Sequence, residues 1–131
     1  MSSDHGTTAV SEEFTIGELG RVRALVSRAA KLVGLTRSVI DNLVVAVNEI
    51  AANAVRYAGG KGRIRIRSYD RGISVEISDS GPGLPAGLGD RPAGPTATGG
   101  RGLWMAHRLC PSMTVASSKR GVTVTLSAMR A

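Results

Sequence analysis

Residues 37–58 read RSVIDNLVVAVNEIAANAVRYA, and this stretch decides the fold of the chain. Apolar residues recur in it every three or four positions, which predicts a long amphipathic helix with one face in a core. Thr36 or Ser38 is the candidate N-cap, and Gly59-Gly60 follows as the helix stop. The predicted apolar face consists of Val39, Ile40, Leu43, Val44, Val47, Ile50, Ala51, Ala54 and Val55.

Three polar residues interrupt the second half of this helix. Asn53 and Arg56 lie four and seven positions after Glu49, so a carboxylate, an amide and a guanidinium project from one strip. Such a strip on an otherwise apolar helix indicates a site. Taken alone, it also fits the solvated stripe of an ordinary amphipathic helix.

The chain on both sides of this helix predicts one α+β domain over residues 10–131. Adjacent hairpins give a mostly antiparallel mixed sheet, and helices with one apolar stripe each can all cover one face of it, forming a two-layer sandwich. In chain order we predict a flexible tail over 1–9, a strand over 10–16, a helix over 18–33, the helix over 37–58, a hairpin of 63–67 with 73–77, a long loop over 84–99, a helix over 102–110 and a hairpin of 113–117 with 122–128.

Size and charge limit the function classes. The 131 residues suffice for one domain with one core. Lys and Arg number 17 against 10 Asp and Glu, a net charge of +7 that raises the question of nucleic-acid binding. Arg63, Arg65 and Arg67 on the open sheet face are the candidates for it. A solvated sheet surface is the favoured interpretation, and the four scattered aromatic residues are too few for a base-stacking platform, so no direct nucleic-acid contact is expected.

Other counts exclude further classes of site. Cys110 is the only cysteine, which rules out an internal disulfide and a cysteine-rich zinc site. Met1 to Thr8 lack the basic start and apolar stretch of a signal peptide, and no apolar run approaches the roughly 18–20 residues of a membrane span. We therefore expect a cytoplasmic protein without membrane contact.

Two glycine-rich motifs follow the first hairpin. In Asp79-Ser80-Gly81-Pro82-Gly83 the aspartate can accept a hydrogen bond from an exocyclic amine, and the glycines permit close backbone approach. The same residues also suit a plain turn. Gly99-Gly100-Arg101-Gly102 opens the third helix, where backbone N–H groups at a helix N-terminus favour an anion such as phosphate. The flexible end of a loop would explain this run as well.

The phosphate-binding motifs of other folds are absent from the sequence. There is no Gly-x-x-x-x-Gly-Lys-Ser/Thr, and the three lysines all lie outside glycine loops. The glycine pattern follows no parallel βαβ unit, which excludes a Rossmann site.

Taken together and in this order, three segments resemble the nucleotide-binding boxes of the Bergerat-type ATPases, the superfamily of gyrase, the mismatch-repair ATPases and the histidine kinases. Residues 49–57 are similar to the N box, 79–83 to the G1 box and 100–103 to the G2 box, with 84–99 as the ATP lid. The short chain, the helix pair before the N box and Gly-Gly-Arg-Gly-Leu-Trp look most like the small bacterial anti-sigma factors that are serine/threonine protein kinases.

The resemblance implies a role for each matching residue. Asn53 would give its amide oxygen to a Mg²⁺ ion that also takes oxygens from the triphosphate of ATP. Asp79 would bind the adenine amino group. Gly81 and Gly83 would let the backbone approach the nucleotide.

The third segment would bind the phosphates. The N–H groups around Gly100 and Gly102 would hold the β- and γ-phosphates, and Arg56 and Arg101 would offset their charge without a P-loop lysine. One position departs from the family, which commonly has Thr directly after the glycine of Arg120-Gly121. Val122 stands there, and whether Thr123 substitutes for that residue stays open.

Glu49 decides the reaction class within this resemblance. Histidine kinases usually have Asn at that position, because an imidazole acceptor is already a nucleophile. Transfer to a hydroxyl or to water needs a carboxylate that orients the acceptor and takes its proton. Glutamate therefore favours a seryl or threonyl acceptor, or hydrolysis.

The leading hypothesis is an ATP- and Mg²⁺-dependent serine/threonine kinase that switches partners: it binds a sigma factor and phosphorylates an anti-anti-sigma antagonist. Arg21, Arg23 and Arg28 on the first helix offer charge for an acidic partner. The alternative is a nucleotide-gated binding module of the same fold without catalysis. Whether the chain forms a homodimer stays open.

Overall fold

The computed structural model describes residues 6–57, 60–79, 100–118 and 121–130, and its elements follow the predicted order. The fold is α+β, as predicted. The elements are β1 (Thr7–Thr15), a short 3-10 turn (Ile16–Glu18), α1 (Leu19–Leu32), α2 (Arg37–Tyr57), β2 (Lys61–Ser68), β3 (Gly72–Asp79), α3 (Gly100–Leu109), β4 (Thr114–Ser118) and β5 (Gly121–Met129).

The described strands form one sheet in the order β1-β2-β3-β5-β4. All four neighbouring pairs are antiparallel, so the parallel pairing that a mixed sheet would include does not occur between them. β3 and β5 are paired although α3 and β4 separate them in sequence. The sheet is therefore held together by long-range pairing at its centre.

β1 begins at Thr7, earlier than the predicted start at Val10. Its register against β2 shifts between Thr8 and Val10, and this irregularity breaks the alternation on which the prediction depended. Residues 7–9, predicted as part of the flexible tail, thus belong to β1, and the tail stays a prediction only for residues 1–5, which lie outside the described part.

The helices cover one face of the sheet and the core lies between the two layers. On the sheet side the core consists of alternate residues of the central strands, and on the helix side of the stripe predicted from residues 37–58. The largest fully buried side chains are Leu43, Ile64, Ile66, Ile73, Ile77, Leu126, Val22, Val26, Val47 and Val75.

The turn between α1 and α2 is fixed by backbone hydrogen bonds. Gly34 has φ +81°, a conformation that suits glycine at a helix end. The N–H of Gly34 donates to the Lys31 carbonyl at 3.0 Å, and the N–H of Leu35 donates to the Ala30 carbonyl at 3.2 Å. Of the two candidate N-caps of α2, Thr36 accepts a hydrogen bond, from the Val39 N–H at 3.4 Å.

α2 has the length and apolar composition of a membrane span, with a mean hydropathy of 1.3 over Arg37–Arg56. Half of this window is buried inside the domain. Val47 and Ala51 are fully buried in the core. Burial against the sheet thus accounts for the apolar composition of this helix.

The arginines of the open sheet face are matched by nearby acceptors. Arg65 Nη2 donates to Glu76 Oε1 at 2.9 Å, and Arg63 lies 4.0 Å from a Glu13 carboxylate oxygen. Arg67 donates to the Gly6 carbonyl at 3.2 Å. These contacts compensate part of the positive charge that raised the question of nucleic-acid binding.

Two of the three arginines predicted to face an acidic partner from α1 already have partners in the fold. Arg21 makes a two-pronged contact with Glu12 at 2.9 and 2.8 Å, and this hydrogen-bonded cation lowers the pKa of the Glu12 carboxyl. Arg23 Nη1 donates to Asn48 Oδ1 at 2.7 Å, which joins α1 to α2. Arg28 is exposed.

Gly62 on β2 should not tolerate a side chain. A Cβ there would lie 2.8 Å from the Phe14 ring and 3.3 Å from Ala54 Cβ, and both neighbours are buried. We expect Gly62→Ala to lower the free energy of unfolding by about 1–3 kcal/mol, measured by urea denaturation. Gly17→Ala, where a Cβ would meet nothing within 4 Å, is the control and should change stability by less than about 0.5 kcal/mol. Equal stability of the two variants would contradict this packing.

Candidate functional site

The last turns of α2 bring the predicted polar strip to the end of the sheet. Asn53 is 8% exposed and is the one buried polar residue in the described part of the chain. A buried amide has a high desolvation cost, so its presence among valines and alanines indicates a specific role. Glu49, one helical turn earlier, is half-buried.

A small cleft with a volume of about 20 Å³ lies beside Asn53, between the helix layer and the sheet. This volume holds about one water molecule, so a larger ligand would extend beyond the described lining. Among the described residues, the lining is apolar except for one amide and one carboxylate. The lining residues are Ile50, Asn53, Ala54, Ile77, Asp79, Leu103, Val122 and Val124.

Asp79 faces this cleft because of the alternation of β3. Ile73, Val75 and Ile77 are buried on the helix-covered face, and Asp79 continues that row at the end of the strand. Its carboxylate is half-buried and can accept hydrogen bonds from a ligand in the cleft. Asn53 and Asp79, which the sequence predicted for one site, do line one cleft.

The pairing of β3 with β5 supplies the opposite wall. Asp79 is directly opposite Val122, and Ile77 is opposite Val124. The carboxylate of Asp79 thus has an apolar neighbour, Val122, on the adjacent strand. Apolar walls with one carboxylate suit the amino-bearing edge of an aromatic ring.

Thr123 does not reach the cleft. Val122 and Val124 are buried on the helix side, so Thr123 between them projects from the open face, opposite Ser78. Its predicted contact with a ligand base is therefore corrected: Val122 occupies the position beside Asp79, and Thr123 does not substitute for a hydroxyl there. The register across β3 and β5, which sequence spacing does not give, decides this.

The remaining predicted residues lie around the cleft or outside the described part. Arg56 is exposed and is not among the lining residues. α3 begins at Gly100, so Arg101 and Gly102 belong to its first turn, while the prediction began this helix at Gly102. Gly81 and Gly83 lie outside the described residues, as does the predicted lid over 84–99.

Sequence reasoning missed the apolar walls as part of the site. Ile50 and Ala54 flank Asn53 on α2, and Ile77 lies two residues before Asp79 on the same face of β3. Spacing alone could have found these three. Leu103, buried at the first turn of α3, and Val124 are brought in only by the tertiary fold.

The chemistry of the donor set fits a magnesium nucleotide. Among the described residues, no group of three His, Cys, Asp or Glu could hold a metal ion by itself. A cation here would need ligand oxygens in addition to the Asn53 amide, and Mg²⁺ usually binds through one or two protein oxygens together with phosphates and water. The first turn of α3 adds the positive end of a helix dipole to the same end of the domain.

Comparison with known families agrees with this arrangement. A model of the histidine kinase-like ATPase domain matches residues 13–128, almost the whole chain. The chain belongs to the histidine kinase-like ATPase family. No curated protein matches it by sequence.

Solved structures share this fold at low sequence identity. The RsbU and RsbW domains of Rv1364c from Mycobacterium tuberculosis match with a TM-score of 0.63 at 20% identity, over 92% of this chain and 32% of that one. Full-length ShkA in complex with AMPPNP matches with 0.59 at 20% identity, over 99% and 33%. The mycobacterial sensor histidine kinase MprB matches with 0.55 at 20% identity, over 92% and 97%. This family member thus spans about a third of the length of the first two structures.

Val122 should limit nucleotide affinity in this family member. Val122→Thr keeps the shape of the side chain and places a hydroxyl in the cleft opposite Asp79. One added hydrogen bond should lower the dissociation constant of a fluorescent ATP analogue about twofold to tenfold. The control is Thr123→Val on the open face, which should leave the constant unchanged. The prediction fails if Val122→Thr has no effect or if Thr123→Val weakens binding.

Proposed function

We propose that the protein is a serine/threonine kinase that binds ATP with Mg²⁺ in the cleft and acts as an anti-sigma factor in partner switching. The observation that carries the proposal is the position of Glu49, a half-buried carboxylate one helical turn from the buried Asn53. Family membership supplies the ATPase fold, and the acceptor class rests on Glu49.

The amino-bearing edge of the adenine base would enter the apolar cleft. Asp79 would accept a hydrogen bond from its amino group, which favours adenine over guanine because guanine has a carbonyl at that ring position. The buried walls Ile77, Leu103 and Val124 would exclude water from the ring faces. The triphosphate would then point toward the first turn of α3.

Residues at the mouth of the cleft would bind the phosphates. Asn53 would coordinate Mg²⁺ through its amide oxygen, and the backbone N–H groups at Gly100 and Gly102 would donate to phosphate oxygens. Arg56 and Arg101 would add positive charge. Bound Mg²⁺ would neutralise phosphate charge during transfer.

Glu49 would orient the acceptor hydroxyl and take its proton. The seryl or threonyl oxygen then bonds to the γ-phosphorus as the bond to the β,γ-bridging oxygen breaks, and ADP leaves. The acceptor would be an anti-anti-sigma antagonist, and the unphosphorylated antagonist would compete with a sigma factor for this protein. These partners come from the resemblance to anti-sigma kinases, while the similar structures contribute the fold.

Glu49→Gln should separate catalysis from binding. We expect the rate of label transfer from γ-labelled ATP to a captured antagonist to fall by about 10²–10⁴-fold, because an amide cannot accept the proton. ATP affinity should stay within a factor of about two. Asp41→Asn removes an exposed carboxylate from the same helix and is the control. Full transfer by Glu49→Gln would remove Glu49 as the base.

The acceptor is identified by capturing binding proteins from the host with and without ATP and then adding γ-labelled ATP. Label on serine or threonine resists acid, whereas phosphohistidine does not. Acid-labile label would contradict the proposed acceptor class.

A second candidate function is a nucleotide-gated binding module without catalysis. Val122 favours it, because no described residue that lines the cleft offers a hydroxyl that would strengthen base binding. In the same experiment, ATP-dependent capture of a partner with no label transfer would support this module and contradict the kinase.

A further inference from the structure

A larger cavity lies at the end of the domain opposite the nucleotide cleft, and we call it the α3–β5 cavity. Its volume is about 280 Å³, near the lower bound of about 300 Å³ for small-molecule sites. α2, α3 and β5 contribute to both linings, but no described residue belongs to both. On α2 the nearest residues of the two linings, Leu43 and Ile50, are about 10 Å apart along the helix axis.

The cavity forms because β5 is longer than its neighbour β4. The described pairing of the two strands begins with Thr114 opposite Thr125, whereas β5 continues to Met129. Pro111 follows the end of α3 and leads the chain past this last part of β5 toward β4. The end of α3, the start of α2 and the last residues of β5 therefore enclose the cavity between them.

The edge of β5 beside the cavity is closed to an added strand. The Ser112 hydroxyl donates to the Ser127 carbonyl at 2.7 Å and accepts a hydrogen bond from the Ser127 N–H at 3.3 Å. One side chain thus takes the place that a residue of a neighbouring strand would have. An extended peptide could not pair with the backbone there, so a compact ligand fits this cavity better.

The lining favours an uncharged ligand. Val39, Leu43, Leu109 and Ala128 supply aliphatic walls, and none of the described lining residues is charged. A charged ligand would therefore lose water without gaining a counterion. The exposed Asn42 adds an amide that can form a hydrogen bond with one polar atom of a ligand.

Two sulfur atoms favour an aromatic ring within this class of ligand. Cys110 is 6% exposed and Met129 is 58% exposed, and both line the cavity. Sulfur makes favourable contacts with aromatic rings, and the flexible methionine side chain adapts to the shape of a ligand. The Cys110 thiol already contacts the Ser112 hydroxyl at 3.4 Å, which fixes its position in the wall.

The aromatic side chains of the chain itself have other places. Phe14 is buried in the core, and Trp104 lies 5.1 Å from the Arg108 guanidinium on α3. Tyr69 is in the turn between β2 and β3, and Tyr57 ends α2 at the opposite end from the cavity. An aromatic ring in the cavity would therefore come from another molecule.

We propose that the α3–β5 cavity binds a small, uncharged aromatic molecule. Its ring lies between the aliphatic walls and the sulfur atoms of Cys110 and Met129, and its polar atom meets the Asn42 amide. The site shares no described residue with the nucleotide cleft, so failure of this proposal would leave the proposed function unaffected.

The test uses indole as the ligand and the full chain labelled with ¹³C-methyl methionine. A bound ring shifts nearby methyl resonances, so the Met129 signal, assigned with Met129→Leu, should move saturably with indole. We expect a dissociation constant on the order of 1 mM or below. Met105 does not line the cavity, and its signal is the internal reference. The absence of a saturable Met129 shift would overturn the proposal.

Val39→Phe should block the site, because its own ring would fill the cavity. We expect indole to bind this variant about tenfold more weakly or worse. Val45→Phe is the matched control, since Val45 lies on the same helix, is 45% exposed and does not line the cavity. Circular dichroism verifies that both variants are folded. Equal indole binding by the two folded variants would contradict the site.

Two further measurements leave the protein unchanged. Indole-3-carboxylate should bind about tenfold more weakly than indole, because its charge finds no counterion in the lining. Cys110 is the only cysteine of the chain, and indole should slow its reaction with a thiol reagent with the same dissociation constant as the Met129 shift. The proposal is overturned if the carboxylate binds as tightly as indole or if indole leaves the Cys110 reaction rate unchanged.

Discussion

The fold depends on the burial of the apolar stripe of α2 against the sheet. Leu43, Val47 and Ile50 are each at most 2% exposed, and each contributes on the order of 1.5–3 kcal/mol by leaving water. This packing determines the rotation of the helix about its own axis. Because the rotation is fixed, Asn53 must enter the boundary of the core and Glu49 must stay at its edge. The polar strip is thus placed by the apolar residues around it.

The same constraint sets the register of the sheet under the helix. Ile73, Val75 and Ile77 must face α2, and this makes Asp79 the next residue on the covered face. A slip of one residue would turn Asp79 to the open face and expose the isoleucines. The cost of exposing them therefore fixes the position of the Asp79 carboxylate. The core and the cleft are therefore adjacent parts of one face of β3, the face that α2 covers.

Local periodicity was enough to predict the helices, the hairpins and the two polar residues that line the cleft. Asn53 follows from the helical period, and Asp79 from its place at the end of a strand. The partner of Asp79 did not follow, because the pairing of β3 with β5 is a contact across more than forty positions, from Asp79 to Val122. The hydrogen bonds of Arg21 and Arg23 were not predicted for the same reason, because their partners Glu12 and Asn48 lie on other elements.

The positions of the charged residues also connect the sequence with the surface of the domain. The count of 17 basic and 10 acidic residues does not show where in the fold the charges are paired. In the fold, the described ion pairs gather on α2, the β1 side of the sheet and its open face. All the carboxylates in these pairs belong to β1, α2 and β3, since residues 91–131 contain no Asp or Glu. Each exposed pair contributes at most about 1 kcal/mol, so the pairs neutralise charge locally, and the apolar contact of α2 with the sheet decides the fold.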